Sequence, residues 1–223
     1  MNYPGIETMV WDLDGTLIDS FSIFAEITQV VLAQQGLQVP SIETLAENFH
    51  GNLEDSINNA AGGLSDRQLE RVVAAFLNIQ DGYYEAIEHH LFPDALALAK
   101  KAKGHGIRQI VVTNRMHEGR MNASPRNIVA NSSLHSLIDE IICGDDGPHR
   151  KPLVEVFGGN EPPAESTLVI GDQYVDIMLA HNLGARAIIV NRGSETLQHL
   201  VKLHDTWEDH TTVVASLDEL SFT

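Results

Sequence analysis

The run Thr8 to Trp11, followed at once by charged and turn-forming residues, predicts a short buried strand ending at Asp12. A turn at Gly15 precedes the apolar pair Leu17-Ile18. Helical spacing then takes over. From Phe21 to Gln35, Phe24, Ile27 and Val31 recur on one face with Ala25 and Leu32 beside them, with Ser20 as N-cap and Gly36 as stop. Ser41, after Pro40, opens a second helix. Leu53 to Ala61 reads as a third, broken by Gly62-Gly63, and Ser65-x-x-Gln68 is a capping box for a long helix through about His89. His89 and His90 suit that helix end, where the dipole favours them. Residues 19–91 therefore predict helices and no strand.

From Phe92-Pro93 onward strands and helices alternate. The pattern predicts a helix from Asp94 to Gly104–Gly106, a strand Ile107 to Val112, a helical segment broken by Pro125, and a strand Glu140 to Cys143. A short helix after Pro152, a strand Thr167 to Ile170, a helix Val175 to Leu183, a strand Ala185 to Val190 and a strand Thr211 to Val214 complete it. Strands joined through helices pair in parallel, because the chain must cross back before the next strand starts. The expected fold is α/β: a doubly wound, Rossmann-like parallel-sheet core from residues 1–18 and 92–223, with a small all-helical domain, residues 19–91, inserted after the first strand. In such a sheet, ligands bind at the carboxyl ends of the strands.

Charge narrows the partners. Fourteen Lys and Arg against 31 Asp and Glu leave a net charge of -17, which repels nucleic acid and anionic membrane. An anionic substrate would then have to be captured by a locally positive site. The longest apolar runs are too short to span a bilayer, and Pro4, Glu7 and Asp12 interrupt the first dozen residues, so neither a membrane anchor nor an export leader is expected. The single cysteine, Cys143, fits a reducing cytoplasm and reads as a small core residue. Neither monomer nor homodimer is indicated.

The strand ends carry the chemistry. Asp12-Leu13-Asp14-Gly15-Thr16 sets two carboxylates one residue apart at the end of the first strand, where a metal could bridge them; taken alone, the segment also suits a strand-ending turn. A calcium loop of the EF-hand kind is excluded, because its glycine belongs at the sixth position and a Glu at the twelfth, whereas here the glycine is fourth and the twelfth is Ile23. Thr113-Asn114 closes the next strand, Lys151 precedes Pro152, and Asp172 and Asp176 flank the start of a helix. Two more carboxylates at a strand end are costly unless a cation neutralises them.

With these four segments in order, the sequence resembles the haloacid dehalogenase-like hydrolase superfamily. Within it, the likeness is to the phosphatase branch with a helical cap after the first motif, the phosphoglycolate phosphatase and beta-phosphoglucomutase-like group. The likeness covers nearly the whole chain, and the block from Asp19 to Leu91 is similar in position to the family's mobile cap. It implies a Mg²⁺-dependent phosphatase acting on a small phosphorylated metabolite. Asp12 is the implied nucleophile, forming an aspartyl-phosphate, and Asp14 the acid and base. Asp12, the Asp14 backbone carbonyl and Asp172 are the implied metal ligands, with Asp176 orienting their shell; Thr113, Asn114 and Lys151 are implied to hold phosphate. Two departures from the family pattern stand out: the stretch from Lys151 to Asp172 is about one helical turn short, and Trp11 replaces a smaller aromatic and reads as core.

Residues 19–91 hold eleven acidic residues against Arg67 and Arg71, a net -9, so a neutral leaving group such as a sugar, polyol or nucleoside is expected. Arg115 and His117, just past Thr113, and His50, in the His50-Gly51-Asn52 segment, are the candidates for reading the substrate. A phosphosugar mutase is the nearest alternative, disfavoured because residues 19–91 contain no lysine; a catalytically silent protein on the same fold is a further one.

Overall fold

In the computed structural model, which describes residues 1–49, 52–117, 121–192 and 210–222, the chain divides into two compact units, Met1–Ile18 with Ile87–Thr223, and Asp19–Ala86. Along the chain β1 (Thr8–Trp11) precedes α1 (Ser20–Gln34), α2 (Ile42–Glu47), α3 (Leu53–Ala60) and α4 (Asp66–Glu85). Then follow α5 (Pro93–Gly104), β2 (Arg108–Val112), α6 (Pro125–Ala130), β3 (Glu140–Ile142), β4 (Thr167–Gly171), α7 (Tyr174–Leu183), β5 (Arg186–Val190) and β6 (Thr211–Val214).

The strands form one all-parallel sheet in the order β3-β2-β1-β4-β5-β6. Strand order reverses beside β1, and a crevice opens at such a switch point. Because β1 has a neighbour on each side, all four of its residues are buried, as a two-sided sheet requires. Trp11 stands opposite Val111 of β2 and Ile170 of β4. Asp12, Thr113 and Asp172, each the first residue past its strand, therefore share one rim. Beneath the rim, Val10, Ile110, Val112 and Val169 pack with Leu179 and Ala180 of α7, each large side chain contributing roughly 1.5–3 kcal/mol by leaving water. Trp11 is core, as its apolar character suggests: its indole N–H donates to Gln109 Oε1 at 3.1 Å, and Gln109 Nε2 donates to the Ala99 and Leu137 carbonyls at 2.9 and 3.1 Å.

The helical unit has its own core. α1 packs on α4, with the Phe24 ring 6.0 Å from Phe76 and 4.9 Å from Phe49, and Leu45, Ile57 and Val72 are fully buried.

Local physics shifts several boundaries. Asp19, not Ser20, caps α1, its Oδ1 accepting from the Ser22 N–H at 3.0 Å. α4 stops at Glu85, and Ile87–His90 tightens into a separate 3₁₀ turn. That turn groups with the sheet unit, where Ile18 bridges Leu91 and the Phe92 N–H donates to Leu17 O at 3.0 Å. Pro125 starts α6 rather than breaking a helix: Ser124 caps the helix, and proline at the first position gives up a donor with no intrahelical partner. After Pro152 the expected helix is replaced by two 3₁₀ turns, Val154–Phe157, ended by Gly158 in the left-handed region, and Ala164–Ser166.

Candidate active site

Asp12 is buried, and the Lys151 ammonium donates to its Oδ1 at 2.5 Å and to Asp176 Oδ1 at 2.7 Å. The other oxygen of Asp176 accepts from the Gln173 N–H at 3.2 Å, so this carboxylate both caps α7 and anchors the lysine. Asp172 completes the group: one carboxylate oxygen each of Asp12, Asp172 and Asp176 lie within 4.8 Å of one another. Two glycines make the approach possible. A side chain on Gly15 (φ +79°) would overlap the Asp172 carboxylate, and one on Gly171 would overlap that of Asp176.

Electrostatics follow from the burial. Desolvation pushes the Asp12 carboxyl up to about 7, with Lys151 opposing and Asp176 and Asp14 adding to the rise. Asp172 is driven well above the ordinary range, first by burial and then by Asp12 and Asp176. Burial works against the Lys151 ammonium, yet Asp12 and Asp176 more than offset it and hold the group charged.

Around this cluster, several candidates take unanticipated positions. The Asn114 side chain is engaged at both ends with one backbone segment, Nδ2 donating to Lys151 O at 3.3 Å and Oδ1 accepting from the Lys151 N–H at 3.0 Å. It therefore fixes the lysine segment. Buried Thr113 accepts from the Arg115 N–H at 3.1 Å through its hydroxyl oxygen. Arg115 faces Asp14: Nε donates to Oδ2 at 3.0 Å, a terminal nitrogen donates to Oδ1, and the other donates to Ala123 O at 3.0 Å. The His117 N–H donates to Asp145 Oδ1 at 2.7 Å, while its buried Nδ1 has no hydrogen-bond partner among the described residues. His50 lies outside the described residues.

Asp145 was not anticipated. It sits in Gly144-Asp145-Asp146-Gly147 just past β3, and acidic residues after a strand end were the available signal. Its neighbour Asp146 pairs with Arg126 at 2.7 Å and accepts from the Cys143 N–H at 2.7 Å.

The sequence profile of the haloacid dehalogenase-like hydrolases matches residues 9–190. The chain belongs to this family. It is 27% identical over 225 residues to a phosphoglycolate phosphatase of Thiobacillus denitrificans, covering 96% of this chain and 93% of that one. It is 29% identical over 201 residues to a phosphoglycolate phosphatase of Yersinia pestis, covering 86% and 84%. A solved structure of a predicted phosphoglycolate phosphatase from Haemophilus somnus gives a TM-score of 0.72 at 20% identity, covering 96% of both chains. CbbY from Rhodobacter sphaeroides in complex with phosphate gives 0.62 at 16%, also covering 96% of both. At these identities the structural likeness speaks for the fold. The helices described in this hydrolase include none long and apolar enough to cross a membrane.

For a haloacid dehalogenase-like hydrolase, this donor set fits a hard divalent cation. Three carboxylates face one ammonium, and Asp172 Oδ1 is buried with no hydrogen-bond partner among the described residues. Oxygen donors carrying surplus negative charge are what Mg²⁺ or Ca²⁺ takes.

Proposed function

We propose that this hydrolase cleaves a small phosphate monoester through an aspartyl-phosphate on Asp12, with Mg²⁺ as cofactor. The observation that carries the reading is the buried group of Asp12, Asp172 and Asp176 around Lys151, with a carboxylate oxygen of Asp172 unpartnered among the described residues. Asp12, the Asp14 backbone carbonyl and Asp172 would hold Mg²⁺, whose charge would let two anions meet and polarise the phosphoryl group.

An Asp12 carboxylate oxygen attacks phosphorus in line and the ester oxygen leaves, taking a proton from Asp14; Asp14 then takes one from the water that hydrolyses the phosphoenzyme. Lys151 opposes the rise that burial imposes on the Asp12 carboxyl and, with two of its three donors spent on Asp12 and Asp176, has a third for a phosphoryl oxygen. Thr113, its oxygen already accepting from Arg115, has its O–H to donate. Asn114 acts through Lys151 by holding its backbone. The helical unit Asp19–Ala86, inserted directly after the first motif, serves as a cap that excludes water. The names of the relatives support a phosphatase over a mutase. A cytoplasmic setting accords with the lone cysteine.

The test is phosphate release from an aryl phosphate and a metabolite panel, with Mg²⁺ or chelator, by wild type and Asp12→Asn. Turnover that disappears with chelator and with the substitution is expected. A folded wild type releasing no phosphate while isomerising a sugar phosphate would replace the phosphatase with the mutase.

A further inference from the structure

Arg192, two residues past β5, is no member of the carboxylate group, yet its side chain reaches the loop that carries Asp14. Its two terminal nitrogens donate to the two oxygens of Asp94, each at 2.9 Å, and one of them also donates to Thr16 O at 3.4 Å. The guanidinium carbon stands 3.9 Å from the centre of the Phe92 ring. Asp94 is fixed in turn by the Ala95 and Leu217 N–H groups, each at 2.9 Å, and by the Ser216 hydroxyl at 3.2 Å. The side chains of the pair are 17% and 10% exposed, so these are shielded, bidentate, charge-assisted bonds rather than a loose surface contact.

Thr16 is fully buried, two residues past Asp14, in a loop closed on itself: the Gly15 N–H donates to Ile18 O at 2.9 Å, and the Leu17 and Ile18 N–H groups both donate to Leu13 O at 3.0 Å. A loop so closed shifts as a body. Two of its carbonyls are held from other segments, Thr16 O by Arg192 and Leu17 O by the Phe92 N–H at 3.0 Å, and Phe92 is the residue whose ring the guanidinium covers. Gly15 stands so near Asp172 that a single added carbon would overlap its carboxylate. A small displacement of the loop therefore changes how the Asp14 carbonyl and Asp172 face one another, and both are groups proposed to hold the cation. We propose that Arg192 is a positioning residue for the cation site: through Thr16 O and Phe92 it sets where the loop presents the Asp14 carbonyl, and so how tightly the site takes a divalent cation. The assignment of the cation's ligands rests on the phosphatase reading. A lysine cannot replace the arginine here, because only a planar fork can hold both Asp94 oxygens, reach a carbonyl and stand over an aromatic ring at once.

The experiment uses the full chain as wild type, Arg192→Gln, Arg192→Lys and Leu134→Ala, the last truncating a core residue in the 3₁₀ turn Ser133–Ser136. Binding of Mn²⁺, which takes the same oxygen donors as Mg²⁺, is followed without substrate by electron paramagnetic resonance of the free ion. Arg192→Gln should raise the Mn²⁺ Kd by about tenfold, and the Mg²⁺ concentration for half-maximal phosphate release in step, with kcat at saturating Mg²⁺ within about twofold of wild type. Arg192→Lys, which keeps the charge and loses the fork, should fall between. Leu134→Ala should lower Tm and leave the Kd unchanged. An Arg192→Gln that loses stability yet binds Mn²⁺ as wild type does would make Arg192 scaffold alone and overturn the proposal. An equal Kd shift in Leu134→Ala would overturn it too, by tracing the effect to general loosening. If Arg192→Gln does not fold, Arg192→Lys decides, and an unshifted Kd in it refutes the positioning role. A wild type that binds Mn²⁺ but releases no phosphate from an aryl phosphate would overturn the phosphatase reading instead, and the Kd comparison would still decide the role of Arg192.

Discussion

Lys151→Met removes the ammonium that Asp12 and Asp176 share and leaves a side chain of similar length. The three side chains are 3%, 9% and 1% exposed, at contacts of 2.5 and 2.7 Å, so water replaces little of what is lost. Breaking a buried pair from one side costs about 3–5 kcal/mol, against about 0–1 for an exposed one. Because burial already pushes the Asp12 carboxyl up to about 7, proton uptake by the cluster relieves part of the repulsion, which places the loss near 3 kcal/mol at neutral pH. For a chain of this size that lowers Tm by about 6–12 °C. The assay is thermal and urea unfolding, with chelator present so that a bound cation does not stabilise the fold, of wild type, Lys151→Met, Asp176→Asn and the double variant. Asp176→Asn removes a like charge from the group that Lys151→Met leaves uncompensated, so the double variant should be more stable than the summed losses by about 1 kcal/mol or more. Additivity within about 0.5 kcal/mol, or a Lys151→Met loss below about 1 kcal/mol, would refute the account of these groups as one electrostatic unit.

Other outcomes follow from the same structure. Gly15→Ala should raise the Mg²⁺ concentration needed for half-maximal phosphate release by about tenfold or more, because the added methyl displaces the Asp172 carboxylate; an unshifted Mg²⁺ titration would contradict this. Asp94 is partly buried, which works against its charge, but Arg192, at 2.9 Å on both oxygens, and the Leu217 and Ala95 N–H groups more than offset that and hold its carboxyl low. A depressed folded-state value means stability present above the unfolded carboxylate's value of about 3.9 and lost as pH falls through the folded one. The urea-stability gap between wild type and Asp94→Asn should therefore hold from neutral pH to about 5 and shrink below about 4; a gap independent of pH would sink the assignment. The Cys143 thiol, buried and thereby pushed up to about 11 despite Arg126, should resist maleimide at about pH 8 until the protein unfolds, and rapid native labelling would show it to be accessible.

Much of the architecture was legible because its determinants are local. Thr8 to Trp11, the stops at Gly36 and Gly62-Gly63, and the capping box at Ser65 and Gln68 act over a turn or a strand, and the elements appear within a few residues of where those signals put them. The misjudged ends share a cause: Ser20 and Asp19 are both competent caps, and Pro125 suits a helix start as well as a break, so backbone geometry chooses between readings that residue type leaves equal. In the same way, acidic, hydroxyl and lysine positions at strand ends marked the rim, because strand ends in a parallel sheet converge whatever the loop lengths between them.

What the chain determined by itself, then, was which residues stand at that rim. Which of them face one another was decided only by the tertiary structure. Lys151 joins Asp12 across 139 residues, and Arg115 meets Asp14 across 101. The Asn114 side chain holds the backbone of Lys151 across 37 residues. Such pairings depend on strand register and on the angle at which each loop leaves the sheet. Charge and spacing carry no information about either, since a carboxylate at a strand end is equally suited to a metal, a lysine or an arginine until the fold sets the distances.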